Sequence, residues 1–188
     1  MIQLYFRILG DTPLATRGID ANMTAKTSMR VQVDLTIKAE PERVFTALTT
    51  GAAIWWGAPY LERKDATDLV IEPKIGGRFY ERWDRVGSEP SGALLANVVA
   101  IDPPKLLRMH GSFGMTERAV LGVVSIELLP IPGATQVKFS HQATGDLDDE
   151  LELHYAHGWH DLLGRLKFFV EEGEAEGVRY DPSLHSHY

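Results

Sequence analysis

Apolar and polar residues alternate along much of the chain, and the first clear alternation begins at Val31. In VQVDLTIKA, apolar residues occupy every second position from Val31 to Ile37, which is the period of a β-strand with one solvated face. Pro41 suits a first helical turn, and the apolar stripe in EPERVFTALTT predicts a short helix. The following AAIWWG predicts a second helical turn that ends at Gly57 and Pro59.

Six further strands are predicted downstream of these helices. In chain order their segments are DLVIEP, GGRFYERWD, GALLANVVAID, LLRMHGS, GVVSIELLP and TQVKFSHQA. Turn residues separate these segments at Lys74 to Gly77, Gly87 to Gly92, Pro103-Pro104 and Ile131 to Ala134. That spacing favours an antiparallel meander.

The last periodic segment is LDDELELHYAHGWHDLLGRLKFFVEEGE, in which apolar residues recur every three or four positions from Leu151 to Phe169. This pattern predicts one amphipathic helix of about 27 residues, roughly 40 Å long. A seven-stranded antiparallel sheet has one face to bury, and this helix is long enough to cover it. We therefore predict an α+β fold in which a twisted sheet wraps around the helix. The space between them is either a pocket or filled by side chains.

Length and composition indicate a single domain. The chain has 188 residues, of which 44% are hydrophobic, and no shift in composition marks a second domain. We expect an N-terminal extension over residues 1–29, the domain over 30–175 and a C-terminal tail over 176–188. Because Met23 and Met29 precede the first strand, the extension fits a displaced start site as well as a functional arm.

Several classes of protein are disfavoured by the sequence. No apolar run approaches the twenty residues of a membrane span, and Gln3 and Arg7 interrupt the opening MIQLYFRILG, which therefore makes a poor signal peptide. Cysteine is absent, which excludes disulfides, thiolate catalysis and thiolate metal ligands. We expect a cytoplasmic protein.

Negative charge is concentrated near the end of the chain. The formal net charge is -7, and the segment from Asp146 to Glu176 contains ten acidic residues against Arg165 and Lys167. We interpret this segment as a solvated helix face. No basic stripe suited to nucleic acid is present, so neither nucleic acid nor a membrane is an expected partner.

Four segments together resemble a known family. PERVFTALTTGAAIWWG, IGGRFYE, IDPPKLLR and YAHGWHDLLGRLKFF are similar to the activator-of-heat-shock-ATPase-homologue (AHSA-type) branch of the START-like, or SRPBCC, superfamily. The similarity extends from residue 31 to about residue 172. It implies the helix-grip fold, with an apolar cavity between the sheet and the C-terminal helix. Because this superfamily includes carriers, cyclases, regulators and co-chaperones, the resemblance does not identify a ligand.

Strand alternation indicates which polar residues face the helix. Phe79, Glu81 and Trp83 share one side of their strand, and the resemblance implies that this side faces inward. Phe139 and His141 share the inward side of the last strand. A carboxylate at such a position requires a raised pKa or a partner such as arginine or histidine.

We predict that a small apolar or aromatic molecule binds in the cavity. In this hypothesis Trp56 lines the cavity wall, and Trp55 packs outward against the first-helix turn or guards the cavity mouth. Glu81, His141 and Tyr155 orient the polar end of the ligand. The predicted ligand-binding residues are Trp56, Phe79, Glu81, Trp83, Met109, Phe113, Phe139, His141, Tyr155, Trp159 and Leu162.

Two other functions stay open. The chain could act as a chaperone-associated interaction protein of the stress-response type, as a monomer or a homodimer. It could also be an enzyme that uses Glu81 and His141 for proton transfer, although no nucleophile motif accompanies them. His154, His157 and Asp161 have helical metal-ligand spacing, but we expect adventitious affinity there and predict neither a metal site nor a cofactor.

Overall fold

The structure is a computed structural model that describes residues 27–84 and 89–173. Most of the predicted N-terminal extension (1–29) lies outside these residues, as does the whole predicted tail (176–188). Part of the predicted turn from Gly87 to Gly92 also lies outside them.

The described residues form one sheet and three helices. The strands are β1 (Ser28–Ile37), β2 (Asp68–Ile71), β3 (Arg78–Arg82), β4 (Gly92–Asp102), β5 (Leu106–Gly111), β6 (Val120–Ile131) and β7 (Ala134–Gly145). The helices are α1 (Pro41–Leu48), α2 (Ala52–Trp55) and α3 (Asp149–Glu172). The seven strands pair antiparallel in the order β1-β7-β6-β5-β4-β3-β2. The predicted α+β helix-grip class is confirmed.

The long helix α3 begins and ends at residues that suit those positions. The carboxylate of Asp148 accepts a hydrogen bond from the Leu151 amide at 2.7 Å, which satisfies one of the free donors at a helix start. The helix ends before Gly173, whose φ of 73° is a conformation that glycine adopts without strain. The face turned to the sheet buries Trp159, Leu162, Leu163, Leu166 and Val170.

Two acidic side chains of α3 bind the exposed edge of β1. Glu152 accepts a hydrogen bond from the backbone N–H of Arg30 at 3.0 Å, and Glu171 accepts one from that of Lys38, just after β1, at 2.8 Å. These bonds occupy groups that would otherwise be free to pair with another strand. Part of the acidic face predicted to be simply solvated therefore attaches the helix to the sheet.

The inward-facing residues predicted from strand alternation are buried. Phe79 and Glu81 on β3 lie in the interior, as do Phe139 and His141 on β7. Gly111 at the end of β5 lies directly against the backbone of β4, where it pairs with Ala96. A Cβ atom on this glycine would lie 2.1 Å from the Leu95 carbonyl oxygen of the neighbouring strand.

We predict that Gly111→Ala lowers the free energy of unfolding by about 2 kcal/mol, because the new methyl group would overlap backbone atoms that cannot move independently. Gly57→Ala is the control, since a Cβ atom there would meet no atom within 4 Å. Urea denaturation of the two variants and the wild type measures the difference. Equal losses in both variants would contradict the close packing of β5 against β4.

Candidate functional site

The interior between the sheet and α3 is almost filled. A void of about 20 Å³ lies there, which is space for about one water molecule, whereas pockets for small ligands usually measure about 300–1,000 Å³. The residues around it are Leu48, Trp55, Trp56, Ile71, Leu107, Met109, Val124, Ile126, Phe139, Trp159, Leu162 and Leu163. The space predicted between the sheet and the helix is therefore present only as a small apolar void.

Aromatic rings occupy the space that the twist of the sheet creates. The Trp159 ring of α3 lies 4.4 Å from the Phe139 ring of β7 and 5.6 Å from the Trp56 ring, measured between centroids. Trp56 in turn contacts Phe79 of β3 edge to face at 5.2 Å. Pairs at these separations are favourable, and this packing explains why the interior is closed.

The roles predicted for the two adjacent tryptophans are only partly correct. Trp56 lines the void as predicted, but Trp55 does not pack outward. Trp55 is buried, also lines the void, and donates its indole N–H to the Ala47 carbonyl at 2.9 Å. The reason is that α2 ends at Trp55, while Trp56 has an extended backbone with φ -83° and ψ 117°. The angular spacing of a continuous helix does not apply across this boundary.

Glu81 is a carboxylate with no solvent exposure, at 0%. Its oxygens accept hydrogen bonds from the backbone amides of Glu62 at 2.7 Å and Arg63 at 3.4 Å, and from the Trp83 indole at 3.2 Å. The partner expected for this buried group is present, but it consists of amide and indole donors rather than an arginine or histidine side chain. These donors compensate the carboxylate for its lost hydration.

The two amide donors to Glu81 belong to the connection between α2 and β2, residues 56–67, called here the α2–β2 segment. Side chains from other elements attach this segment to the domain. The Arg165 guanidinium of α3 donates to the Ala58 carbonyl at 3.0 Å and lies 5.0 Å from the centre of the Tyr60 ring. The Thr116 hydroxyl donates to the Glu62 carboxylate at 3.5 Å. The segment thus covers one end of the interior through side-chain contacts.

Glu62 is half-buried beside Glu81. Burial, followed by the negative charge of Glu81, raises the pKa of the Glu62 carboxyl to about 6. Both effects disfavour the ionised form of this carboxyl. Ionisation of Glu62 near neutral pH therefore works against closure of the α2–β2 segment over the interior.

His141 is a second polar group with 0% exposure. The Trp159 indole N–H donates to its Nδ1 at 3.0 Å. Because Nδ1 accepts this bond, the proton of the neutral ring lies on Nε2. Nε2 has no hydrogen-bond partner among the described residues. Burial lowers the pKa of His141 to about 4, so the ring is neutral at physiological pH.

Phe113 packs against His141 from the β5–β6 loop, residues 112–119. The two ring centroids are 4.9 Å apart. Phe113 has a φ of 50°, a left-handed conformation that costs a residue with a side chain roughly 1–2 kcal/mol. Its backbone N–H donates to the Leu95 carbonyl at 3.0 Å, and its carbonyl accepts the Tyr155 hydroxyl at 2.7 Å. Burial, together with the charge of Glu62, raises the pKa of Tyr155 above its usual range.

The predicted ligand-binding residues fall into three groups. Those that line the void are Trp56, Met109, Phe139, Trp159 and Leu162. Phe113 and Tyr155 surround His141. The Trp83 indole donates to the Glu81 carboxylate, and the Phe79 ring packs on Trp56.

Glu81 and His141 do not come together. They lie on β3 and β7, which have three strands between them in the sheet, and their hydrogen-bond partners are different groups. The structure therefore does not assemble the acid/base pair that strand alternation suggested for an enzyme.

Sequence reasoning missed other residues of this region. Leu107, Val124 and Ile126 line the void, and strand alternation could have found Leu107 because it shares a face of β5 with Met109. No periodic signal marks Glu62, which lies in an irregular segment.

Comparison with protein families gives one match that covers most of the domain. The profile of the family described as "Activator of Hsp90 ATPase homolog 1-like protein" matches residues 38–171. No curated protein matches the chain. Within the described residues, no helix is both long and apolar enough to cross a membrane.

Solved structures with the same fold are numerous, and their sequences are distant. The solution structure of the Aha1 dimer from Colwellia psychrerythraea has 20% identity and a TM-score of 0.54, and the match covers 78% of this chain and 99% of that one. The crystal structure of the Mll3558 protein from Rhizobium loti has 19% identity and a TM-score of 0.55, with 74% and 95% covered. CalU16 from Micromonospora echinospora has 17% identity and a TM-score of 0.53, with 79% and 80% covered. At these identities the likeness establishes the fold alone.

We predict that His141 makes the protein less stable in acid. Its pKa falls from 6.5 to about 4 in the folded protein, so the unfolded chain binds the proton first as the pH drops. The stabilisation is complete above pH 6.5 and is lost as the pH falls toward 4, in total about 3 kcal/mol at 1.36 kcal/mol per pKa unit.

His141→Gln is the comparison for this prediction, because glutamine offers Trp159 an acceptor and does not titrate. Urea unfolding at pH 7, 5 and 4 should show the difference in stability between wild type and variant shrinking toward low pH. Parallel curves for the two proteins would show that His141 is not neutral in the folded state.

Proposed function

We propose that this chain, which belongs to the Activator of Hsp90 ATPase homolog 1-like family, binds a small apolar or aromatic molecule between the sheet and α3. Proteins of this fold are generally ligand-binding or chaperone-associated. In the proposal the ligand enlarges the void of about 20 Å³ by displacing side chains.

The observation that carries the proposal is the way in which the interior is closed. The sheet and α3 are continuous elements. The α2–β2 segment is joined to β3 at its last residue, where the Thr67 N–H donates to the Arg82 carbonyl at 2.8 Å. The rest of the segment is attached through the Glu81 carboxylate, the Arg165 guanidinium and the Thr116 hydroxyl. A segment held by a few side-chain bonds opens at lower free energy than a paired strand. It therefore provides a route into an interior that is otherwise enclosed.

The chemistry of the interior determines the ligand class. Apolar and aromatic side chains surround the void, and the thioether of Met109 adapts to irregular shapes. Glu81 is already engaged by three donors, so in this proposal it positions the α2–β2 segment and does not contact the ligand. The interior thus favours an uncharged molecule with a mainly apolar surface.

Thermal unfolding in the presence of naphthalene and indole tests the proposal. A ligand that binds only the folded protein stabilises it by about 2.7 kcal/mol at 100 times its Kd, so we expect Tm to rise with ligand concentration. Val124→Ile adds a methyl group at the void and should weaken binding severalfold. Val137→Ile is the matched control, because Val137 is equally buried and does not line the void.

Two results would count against this function. One is a Tm that does not change with either aromatic compound or with uncharged aliphatic alcohols of eight to twelve carbons. The other is equal weakening of binding by Val124→Ile and Val137→Ile, which would place the ligand outside the void.

We also predict that Glu81→Gln loosens the α2–β2 segment. Glutamine replaces one acceptor oxygen with an NH₂ group that faces donors, so the Glu62 and Arg63 amides lose part of their bonding. Hydrogen exchange should accelerate at least tenfold at these two amides. Amides in β6 should change little, and Glu127→Gln, an exposed position on β6, is the control. Unchanged exchange at both amides would contradict the role given to Glu81.

A chaperone-associated interaction is the second candidate, and an open groove on the outside of the sheet favours it. The groove measures about 570 Å³ and is lined by Ser28, Met29, Arg30, Leu121, Val123, Gln142, Ala143, Thr144 and Glu152. Leu121 is 58% exposed there. Loss of Hsp90 binding in Leu121→Asp, together with no response to apolar compounds, would favour this function over ligand binding.

A further inference from the structure

We propose that the Nε2–H group of His141 is the hydrogen-bond donor for the ligand, and that it selects uncharged apolar molecules carrying a carbonyl or ether oxygen. In this inference the ligand takes the place of the Phe113 ring. It rests on the proposed function, because it assigns the ligand class and the selecting residue of the same interior.

The His141 imidazole is a neutral ring with a defined tautomer. Trp159 donates to Nδ1 at 3.0 Å, which leaves Nε2 as the protonated nitrogen of the neutral ring. Nε2 is fully buried and has no acceptor among the described residues. An unmade hydrogen bond of this kind costs free energy in the closed protein, and a ligand oxygen that accepts the bond recovers it.

The Nε2–H donor of His141 lies beside the Phe113 ring and Gly122. A Cβ atom on Gly122 would lie 2.8 Å from His141 Nε2 and 3.1 Å from Phe113 Cδ2. The Phe113 ring therefore stands beside the protonated nitrogen. Because residue 122 is glycine, no side chain from β6 occupies this position, and movement of the Phe113 ring would leave Nε2–H facing a space the size of an aromatic ring.

Phe113 has a strained backbone in the loop that carries it. Its φ of 50° is strained for a residue with a side chain, and Gly114 after it has a φ of 95°. The Tyr155 hydroxyl and the Leu95 carbonyl hold its backbone. When the backbone of Phe113 moves together with its ring, these two hydrogen bonds are lost and the backbone strain is released, which offsets part of the energy lost when the ring leaves.

The chemistry of the donor then limits the ligand. A neutral N–H pairs with an oxygen lone pair, so an ammonium group gains nothing from it. An ionised carboxylate would be desolvated among apolar side chains without a cation to compensate it. A neutral carbonyl or ether oxygen on an apolar molecule satisfies both conditions.

The test compares two ligands of nearly equal shape, acetophenone and α-methylstyrene, which differ by C=O against C=CH₂. Their Kd values are measured by calorimetry with Phe113→Ala, in which the space beside His141 is open. Phe79→Ala is the matched control, because it also removes a buried ring, which packs on Trp56 at a site with no free donor among the described contacts. We expect the preference for the ketone to be about tenfold greater in Phe113→Ala than in Phe79→Ala.

A spectroscopic measurement accompanies the affinities. In ¹⁵N-labelled Phe113→Ala, acetophenone should move the His141 Nε2–H proton downfield and α-methylstyrene should not. If Phe113→Ala does not fold, Phe113→Gly replaces it, since glycine adopts a positive φ without strain. Equal preferences in the two variants, or a proton found on Nδ1, would overturn the assignment of His141.

The wild-type protein separates this inference from the proposed function. If the Tm of wild type responds to none of the compounds that test the proposed function while Phe113→Ala keeps the tenfold ratio, the proposed function fails and the capacity of His141 to donate to a ligand stands. If wild type binds both compounds equally and Phe113→Ala shows no excess preference, the interior binds ligands and the role of His141 is refuted.

Discussion

The burial of the Glu81 carboxylate is the constraint on which the rest of the structure depends. A fully buried carboxylate is tolerated only where donors replace its hydration, and two of its donors are the amides of Glu62 and Arg63. The need to satisfy one side chain of β3 therefore fixes the path of the α2–β2 segment. That path covers the aromatic interior and places Glu62 beside a second carboxylate. The raised pKa of Glu62 is thus a consequence of how the interior is closed.

Much of the fold follows from patterns that the sequence displays directly. Alternation along β3 and β7 predicts that Phe79, Glu81 and His141 face inward, because a two-residue period has only two faces. The openness of the interior could not be predicted, since it depends on how ring shapes fill volume and periodicity contains no information on volume. The position of Trp55 depended on the residue at which a four-residue helix ends. Glu62 lies in an irregular segment, where no pattern relates neighbouring residues.

The helix α3 has several structural roles, although its sequence shows only one acidic stripe. Its buried face fills the interior, and Trp159 on that face also fixes the tautomer of His141. Glu152 and Glu171 on its flank bind amides at the edge of β1. The acidic residues of α3 look alike in the sequence, but some of them protect the sheet edge and others are solvated. A substitution at Glu152 or Glu171 acts on the sheet edge, although composition would assign it to the surface.

A closed interior and a ligand-binding function are compatible when the cost of opening is counted. The apparent Kd is the intrinsic Kd divided by the fraction of open protein, so each 1.4 kcal/mol of opening cost weakens binding tenfold. A ligand that buries about 200 Å² of apolar surface gains about 5 kcal/mol at 25 cal/mol per Å². After the cost of opening is subtracted, little net binding free energy is left, unless the closed state itself contains unfavourable interactions that the ligand removes. Strain at Phe113 and the unpaired Nε2–H of His141 are penalties of this kind. Because both lie at one place, an acceptor-bearing ligand that displaces this ring relieves the two together.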